Sequence, residues 1–158
     1  MFCREEGKRG GCAIYCKKHL KCKVRTKLNN MSVSGNIECA AVECEFGVKR
    51  AVIISIYRPP SGVIHIFMDI VEKLLTSVFN EGTLIFVAGD SNIELLKDNK
   101  TKSELFSLMN SLNLHPSIFV NTRISYNSSS SLDNIFTNCV LVKAYAFENY
   151  ISDHTAQK

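Results

Sequence analysis

The first candidates for chemistry are polar residues that follow or interrupt apolar, strand-like runs. "LIFVAGDSNI" (84–93) is apolar through Ala88 and then presents Asp90 and Asn92. "SLDNIF" carries Asp133 among apolar neighbours, "YISDH" ends in Asp153 and His154, and "VIISIYRPP" closes on Tyr57 and Arg58. Carboxylates and an amide are hard oxygen donors that suit Mg2+. A histidine held by an aspartate is a competent general base, because the carboxylate fixes its tautomer and favours the protonated ring. Each residue also has a plain reading. Gly, Asp, Ser and Asn build turns, Asp133 fits a strand edge, Ser152-Asp153-His154 fits a loop, and Tyr57 fits a core. The alternative is a set of functional loops mounted on rigid strands.

The elements that would carry these residues follow from periodicity. Residues 11–16 are small and β-prone. In 21–27, Lys21, Lys23, Arg25 and Lys27 alternate with Cys22, Val24 and Thr26, which places the four charges on one strand face. Such a row is usually solvated, though it can touch phosphates. "IECAAVEC" and "RAVIISIY" are two further strands, and the prolines of "YRPP" stop the second. In 66–79, Ile66, Ile70, Leu74 and Val78 form an i, i+4 ridge flanked by Phe67, Val71 and Leu75. "TLIFVA" is apolar on both faces and reads as a central strand covered on both sides. A second helix, 101–114, has Thr101 and Glu104 at capping-box spacing and a stripe of Leu105, Phe106, Met109 and Leu112. The serines at 128–131 read as a turn before the strand "LDNIFTNCVLV".

Composition bounds the rest. The 158 residues, 46% hydrophobic and 22% charged, suit a single domain spanning the chain, here 1–158. No apolar stretch reaches the ~18 residues of a membrane helix. The charged start "MFCREEGKRGG" argues against a secretory signal, so an intracellular protein is expected. A net charge of +4 permits nucleic acid as a partner without demanding it. The seven cysteines form no C-x-x-C pair and are odd in number. They are expected as buried, reduced thiols in small-hydrophobe roles.

In order along the chain stand "GGCAIYC" (10–16), "YRPP" (57–60), "GDSNI" (89–93), "TRI" (122–124), "LDNIFTN" (132–138) and "SDH" (152–154). This series resembles the endonuclease/exonuclease/phosphatase superfamily, and within it the endonuclease domains of jockey-like non-LTR retrotransposons. The resemblance implies a two-sheet α/β sandwich with flanking helices, here an incomplete one. It implies phosphodiester hydrolysis on DNA, nicking a target site for reverse transcription with Mg2+ or Mn2+. His154 and Asp133 would form the base pair. Asp90 would position or activate water and help hold the metal beside Asp153. Asn92 would orient the phosphate or nucleophile, and Tyr57 would contact the phosphate. Arg58, Thr122, Arg123 and Ser130 would face the nucleic acid, and a nuclear setting would follow if the parent element functions.

The sequence also departs from the pattern. Family members carry an Asn strand and a metal-binding Glu strand upstream of "GG-x-AIY", whereas nine residues precede Gly10 here. Glu5 and Glu6 are too close to that motif to replace the Glu. Glu38 or Glu43 can do so only if their strand borders the site. Four residues follow His154, where the family has a closing strand. Ser91 replaces an aromatic, and Asn134 stands where His is common. These departures imply cleavage much slower than that of a complete domain. Two other readings stay open: an inactive remnant that at most binds nucleic acid, and a superfamily phosphatase acting on a small phosphoester. "TRI" followed by "DNIFTN" argues for the retrotransposon branch over the phosphatase.

Overall fold

The computed structural model describes residues 10–80, 82–149 and 151–158. Cys3, Glu5 and Glu6 lie outside them. The elements in chain order are β1 (Lys21–Val24), α1 (Thr26–Asn29), β2 (Glu38–Phe46), β3 (Lys49–Tyr57), α2 (Ile64–Val78), β4 (Leu84–Asp90), α3 (Lys100–Ser111), β5 (His115–Pro116), β6 (Arg123–Ser125), β7 (Ser128–Ser130), β8 (Asp133–Thr137), β9 (Ala146–Phe147) and β10 (Ala156–Gln157).

The main sheet has six strands in the order β1-β2-β3-β4-β8-β5. It is mixed. β3 and β4 run parallel, joined by α2 as the expected β-helix-β unit, and the other neighbours pair antiparallel. Alternation decides which face meets the helices. Cys39 and Ala41, Val52, Ile54 and Ile56, Ile85 and Val87, and Phe136 share a core with Phe67, Val71, Leu74, Leu75 and Val78 of α2 and with Leu105 and Met109 of α3. Register then fixes the other face. Glu38 opposes Tyr57, Tyr57 opposes Asp90, and Asp90 opposes Asp133. Side chains directly opposite in adjacent strands point the same way, so these four stand in a row away from the helices, at one end of the sheet.

The architecture is α/β, as expected. Beside the six-stranded sheet, the remaining described strands form two short ribbons, β6–β7 and β9–β10, rather than a second broad sheet. The last residues are themselves a strand, for Ala156 and Gln157 pair with Phe147 and Ala146. β4 is central, but only Ile85 and Val87 are fully buried, while Phe86 and Ala88 on the other face are half-covered.

Several local expectations are corrected. Residues 13–17 run irregularly instead of as a strand. Gly10 and Gly11 precede them with φ of 105° and 115°, outside extended geometry. The row of basic residues ends with Lys23, because β1 stops at Val24; Arg25 pairs with Glu43 from the turn into α1, and Lys27 falls in α1. α3 is capped by Asn99, whose side chain accepts the Lys102 N–H at 2.8 Å. An acceptor that can reach that amide from Asn99 makes it the N-cap, and Thr101 lies inside the helix. The serine run is a strand, β7, folded back on β6. β8 stops at Thr137. Asn138 then turns its side chain to the Ile85 N–H and the Thr83 carbonyl, and Val140 and Leu141 are 90% and 85% exposed.

Candidate active site

The loop after β4 is shaped by a glycine and an arginine. At Gly89 φ is +152°, and a Cβ there would sit 1.8 Å from the Ile56 carbonyl oxygen. Only glycine lets β4 approach β3 so closely just before Asp90. Past Asp90 the backbone turns. Asn92 adopts φ 49°, and its N–H donates to Asp90 Oδ1 at 2.8 Å, an Asx turn. Its Nδ2 donates to the Arg58 carbonyl at 2.7 Å and to Asp90 Oδ2 at 3.2 Å. Asp90 and Asn92 therefore meet through a turn and not by extended alternation, and turn chemistry and the candidate site coincide in one segment.

Arg58, expected at nucleic acid, is only 7% exposed. Its Nε donates to the Ser91 carbonyl at 2.6 Å, Nη1 to the Gly62 carbonyl at 2.7 Å and Nη2 to the Asn92 carbonyl at 2.7 Å. The guanidinium also lies over the Phe67 ring, 5.9 Å from its centroid. A buried fork committed to three carbonyls cannot face a phosphate, so Arg58 acts by holding the loop. Ser91 is buried as well, its hydroxyl donating to the Leu132 carbonyl, which ties this loop to the approach to β8.

On β8, Asp133 meets His154, with Nδ1 2.9 Å from Oδ2. Thr122 Oγ1 donates to the same oxygen at 2.7 Å and accepts the Leu132 and Asp133 N–H groups at 3.0 Å each. Thr122, also expected at nucleic acid, is fully buried. It fixes Asp133 from below instead. His154 is delivered by the return of the chain, since Thr155 N–H bonds the Thr122 carbonyl and Arg123 bridges His154. A carboxylate only accepts, so Nδ1 carries a proton, and in the neutral ring Nε2 has the free lone pair.

One ligand atom each from Asp90, Asp133 and His154 lies within 4.8 Å of the other two. Burial holds the Asp90 carboxyl above its ordinary range, and the negative charge of Asp133 adds to this. Two opposed carboxylates within reach of one another are oxygen donors that suit a hard divalent cation. Asp153, expected beside a metal, lies outside this trio. Its Oδ2 takes Arg123 Nε at 2.7 Å, and that hydrogen bond holds its carboxyl below the usual range. Arg123 is exposed at the rim, whereas Ser130 is half-buried in the ribbon and Tyr57 half-buried in the row. Glu43 is remote, paired with Arg25 and Arg50. Glu38 does border the row, fully buried next to Tyr57.

Sequence reasoning missed three supports: Gly89, the buried clamp of Arg58, and Asn134. Asn134 Oδ1 accepts from Ser117 and Ile118 N–H while Nδ2 donates to the Ile118 carbonyl. The only available signal was a polar residue at a position whose period assigns it to the core.

A mixed sheet with two flanking helices, ending in opposed aspartates and an Asp–His pair, defines a domain of the endonuclease/exonuclease/phosphatase fold. The chain belongs to the endonuclease–reverse transcriptase family, whose model matches residues 51–157. Among solved structures it is similar to the endonuclease domain of TRAS1, a telomere-specific non-LTR retrotransposon, with TM-score 0.72 and 16% identity over 89% of this chain and 68% of that one. It is similar to an endonuclease/exonuclease/phosphatase family protein from Leptotrichia buccalis C-1013-b, with TM-score 0.56 and 14% identity over 74% of this chain and 51% of that one. It is also similar to D. rerio TDP2 complexed with single strand DNA product, with TM-score 0.56 and 11% identity over 87% and 65%. The chain thus spans between half and about two thirds of these relatives. No curated protein matches it. Among the described residues, no helix is long and apolar enough to cross a membrane.

Proposed function

We propose that this chain is a metal-dependent DNA endonuclease module of a non-LTR retrotransposon, hydrolysing one phosphodiester of a target site in the nucleus. The observation that carries the reading is the Asp133–His154 contact of 2.9 Å beside Asp90. His154 Nε2 takes the proton of the attacking water, while Asp133 holds the ring and stabilises the imidazolium that forms. Thr122 keeps Asp133 in place for that task. Asp90 orients the water, and Asn92, fixed against Asp90 and the Arg58 carbonyl, orients the phosphate. Tyr57 contacts a phosphate oxygen from the neighbouring strand. Arg123, exposed at the rim, meets the DNA backbone with Ser130, which stands opposite it in the β6–β7 ribbon. Asp90 with Asp133 would hold Mg2+ or Mn2+, and such a cation neutralises phosphate charge and eases departure of the 3′ oxygen.

The test is nicking of supercoiled plasmid with Mg2+, comparing the chain with His154→Ala and Asp90→Ala. Nicking that each change lowers by about a hundredfold or more supports the reading. Nicking that survives His154→Ala refutes it. Turnover of a small phosphate monoester without nicking would favour a phosphatase. DNA binding with neither activity would favour a remnant.

A further inference from the structure

We propose that Cys16, Cys22 and Cys44 form a site for a thiophilic divalent cation, with Zn2+ as the probe. Their sulfurs all lie within 4.8 Å of one another, and each is a free thiol. The site is a product of topology. Cys22 on β1 and Cys44 on β2 are directly opposed in the antiparallel pair, so their side chains share a face. Cys16 comes to them from the irregular segment before β1. Along the sequence the three form no C-x-x-C pair; strand pairing unites Cys22 with Cys44, and the segment before β1 brings Cys16 to them. The sulfurs also grade from interior to surface: Cys44 is buried, Cys22 half-buried and Cys16 exposed. That leaves an entry path and room for water as a fourth ligand, the open arrangement of a three-ligand zinc centre.

Zinc–sulfur bonds of about 2.3 Å in tetrahedral geometry set sulfurs about 3.7 Å apart. Cys22 and Cys44 Sγ stand 2.6 Å apart, so one side chain must swing by about an ångström to admit the ion. A metal ion binds thiolates, so its uptake releases the thiol protons. Three thiolates on a divalent ion leave one negative charge, and the exposed Lys17 and Lys18 directly follow Cys16 in the chain, whereas Lys21 and Lys23 alternate with Cys22 onto the other face of β1. The competing chemistry is a Cys22–Cys44 disulfide. It would use two sulfurs and give no account of why Cys16 joins them.

The experiment loads the reduced full chain with Zn2+ for native mass spectrometry and with Co2+ for absorption spectroscopy. The result expected is one ion per chain and a sulfur-to-cobalt charge-transfer band. Cys16→Ser, Cys22→Ser and Cys44→Ser should each weaken binding by about tenfold or more, as loss of even an outer-sphere partner does. Cys139→Ser should leave it unchanged. Cys16 is exposed, so Cys16→Ser tests the site without threatening the fold. Three results would overturn the proposal: no uptake by the folded, reduced chain; uptake indifferent to Cys16→Ser; or a Cys22–Cys44 disulfide in the isolated chain with no metal binding after reduction.

Discussion

Replacing Arg58 with methionine would show whether the loop after β4 depends on a buried cation. Methionine keeps much of the side-chain stem against Phe67 and removes every donor. Three carbonyls, those of Gly62, Ser91 and Asn92, then lose partners held at 2.6–2.7 Å. A hydrogen bond from a charged donor is worth roughly 1.5–3 kcal/mol net, and a buried acceptor left bare costs about 1–3 kcal/mol. The guanidinium also stops incurring its own desolvation, which lowers its pKa in the fold and offsets part of the sum. The balance, three carbonyls left bare less the relief of that desolvation, is a loss of about 3–5 kcal/mol. Against a total of about 5–15 kcal/mol for a domain, that shift is large. Urea titration followed by circular dichroism measures it. Arg58→Lys should recover little, because one ammonium cannot reproduce a planar fork reaching three carbonyls. A loss below about 1 kcal/mol for Arg58→Met would refute the clamp. So would full recovery by lysine.

Gly89→Ala places a methyl on the Ile56 carbonyl and should cost at least about 2 kcal/mol in the same titration, or prevent folding. Thr122→Val keeps the shape but strips two N–H groups and Asp133 of their partner; a loss of about 2–4 kcal/mol is expected, with nicking falling further than stability explains. Asp90 should titrate above its ordinary 3.8 when its carboxyl carbon is followed by NMR in chelator, since burial first and Asp133 next disfavour its charge. Its folded value lies above its unfolded one, so its support for folding is full below pH 3.8 and is lost as pH rises through the folded value. A titration at or below 3.8 would contradict this.

Much of this protein was legible in its sequence. The strand-helix-strand from β3 to β4 follows from period 2 giving way to 3.6 and back, since a buried face must repeat with the geometry of its element. Asp90, Asn92, Asp133 and His154 were legible as polar residues breaking apolar runs. What each side chain does was less so. Arg58 and Thr122 look like ligands of DNA because their types can be, yet both are buried and act on neighbours. Burial of a loop residue depends on which segment crosses above it, and no local pattern encodes that. The ends of elements behaved similarly. Thr101 gave way to Asn99 as a cap, and β8 ended where Asn138 found Thr83 and Ile85 far away in sequence. The thiol trio is the clearest case. Cys16, Cys22 and Cys44 carry no zinc-module spacing; the register of β1 on β2, a long-range pairing, sets Cys22 against Cys44, and the path of the chain before β1 adds Cys16. Local periodicity sets which elements form, because it acts between neighbours in the chain. Contacts between distant segments decide which polar groups face water, each other or a ligand, because burial and register are properties of the assembled sheet.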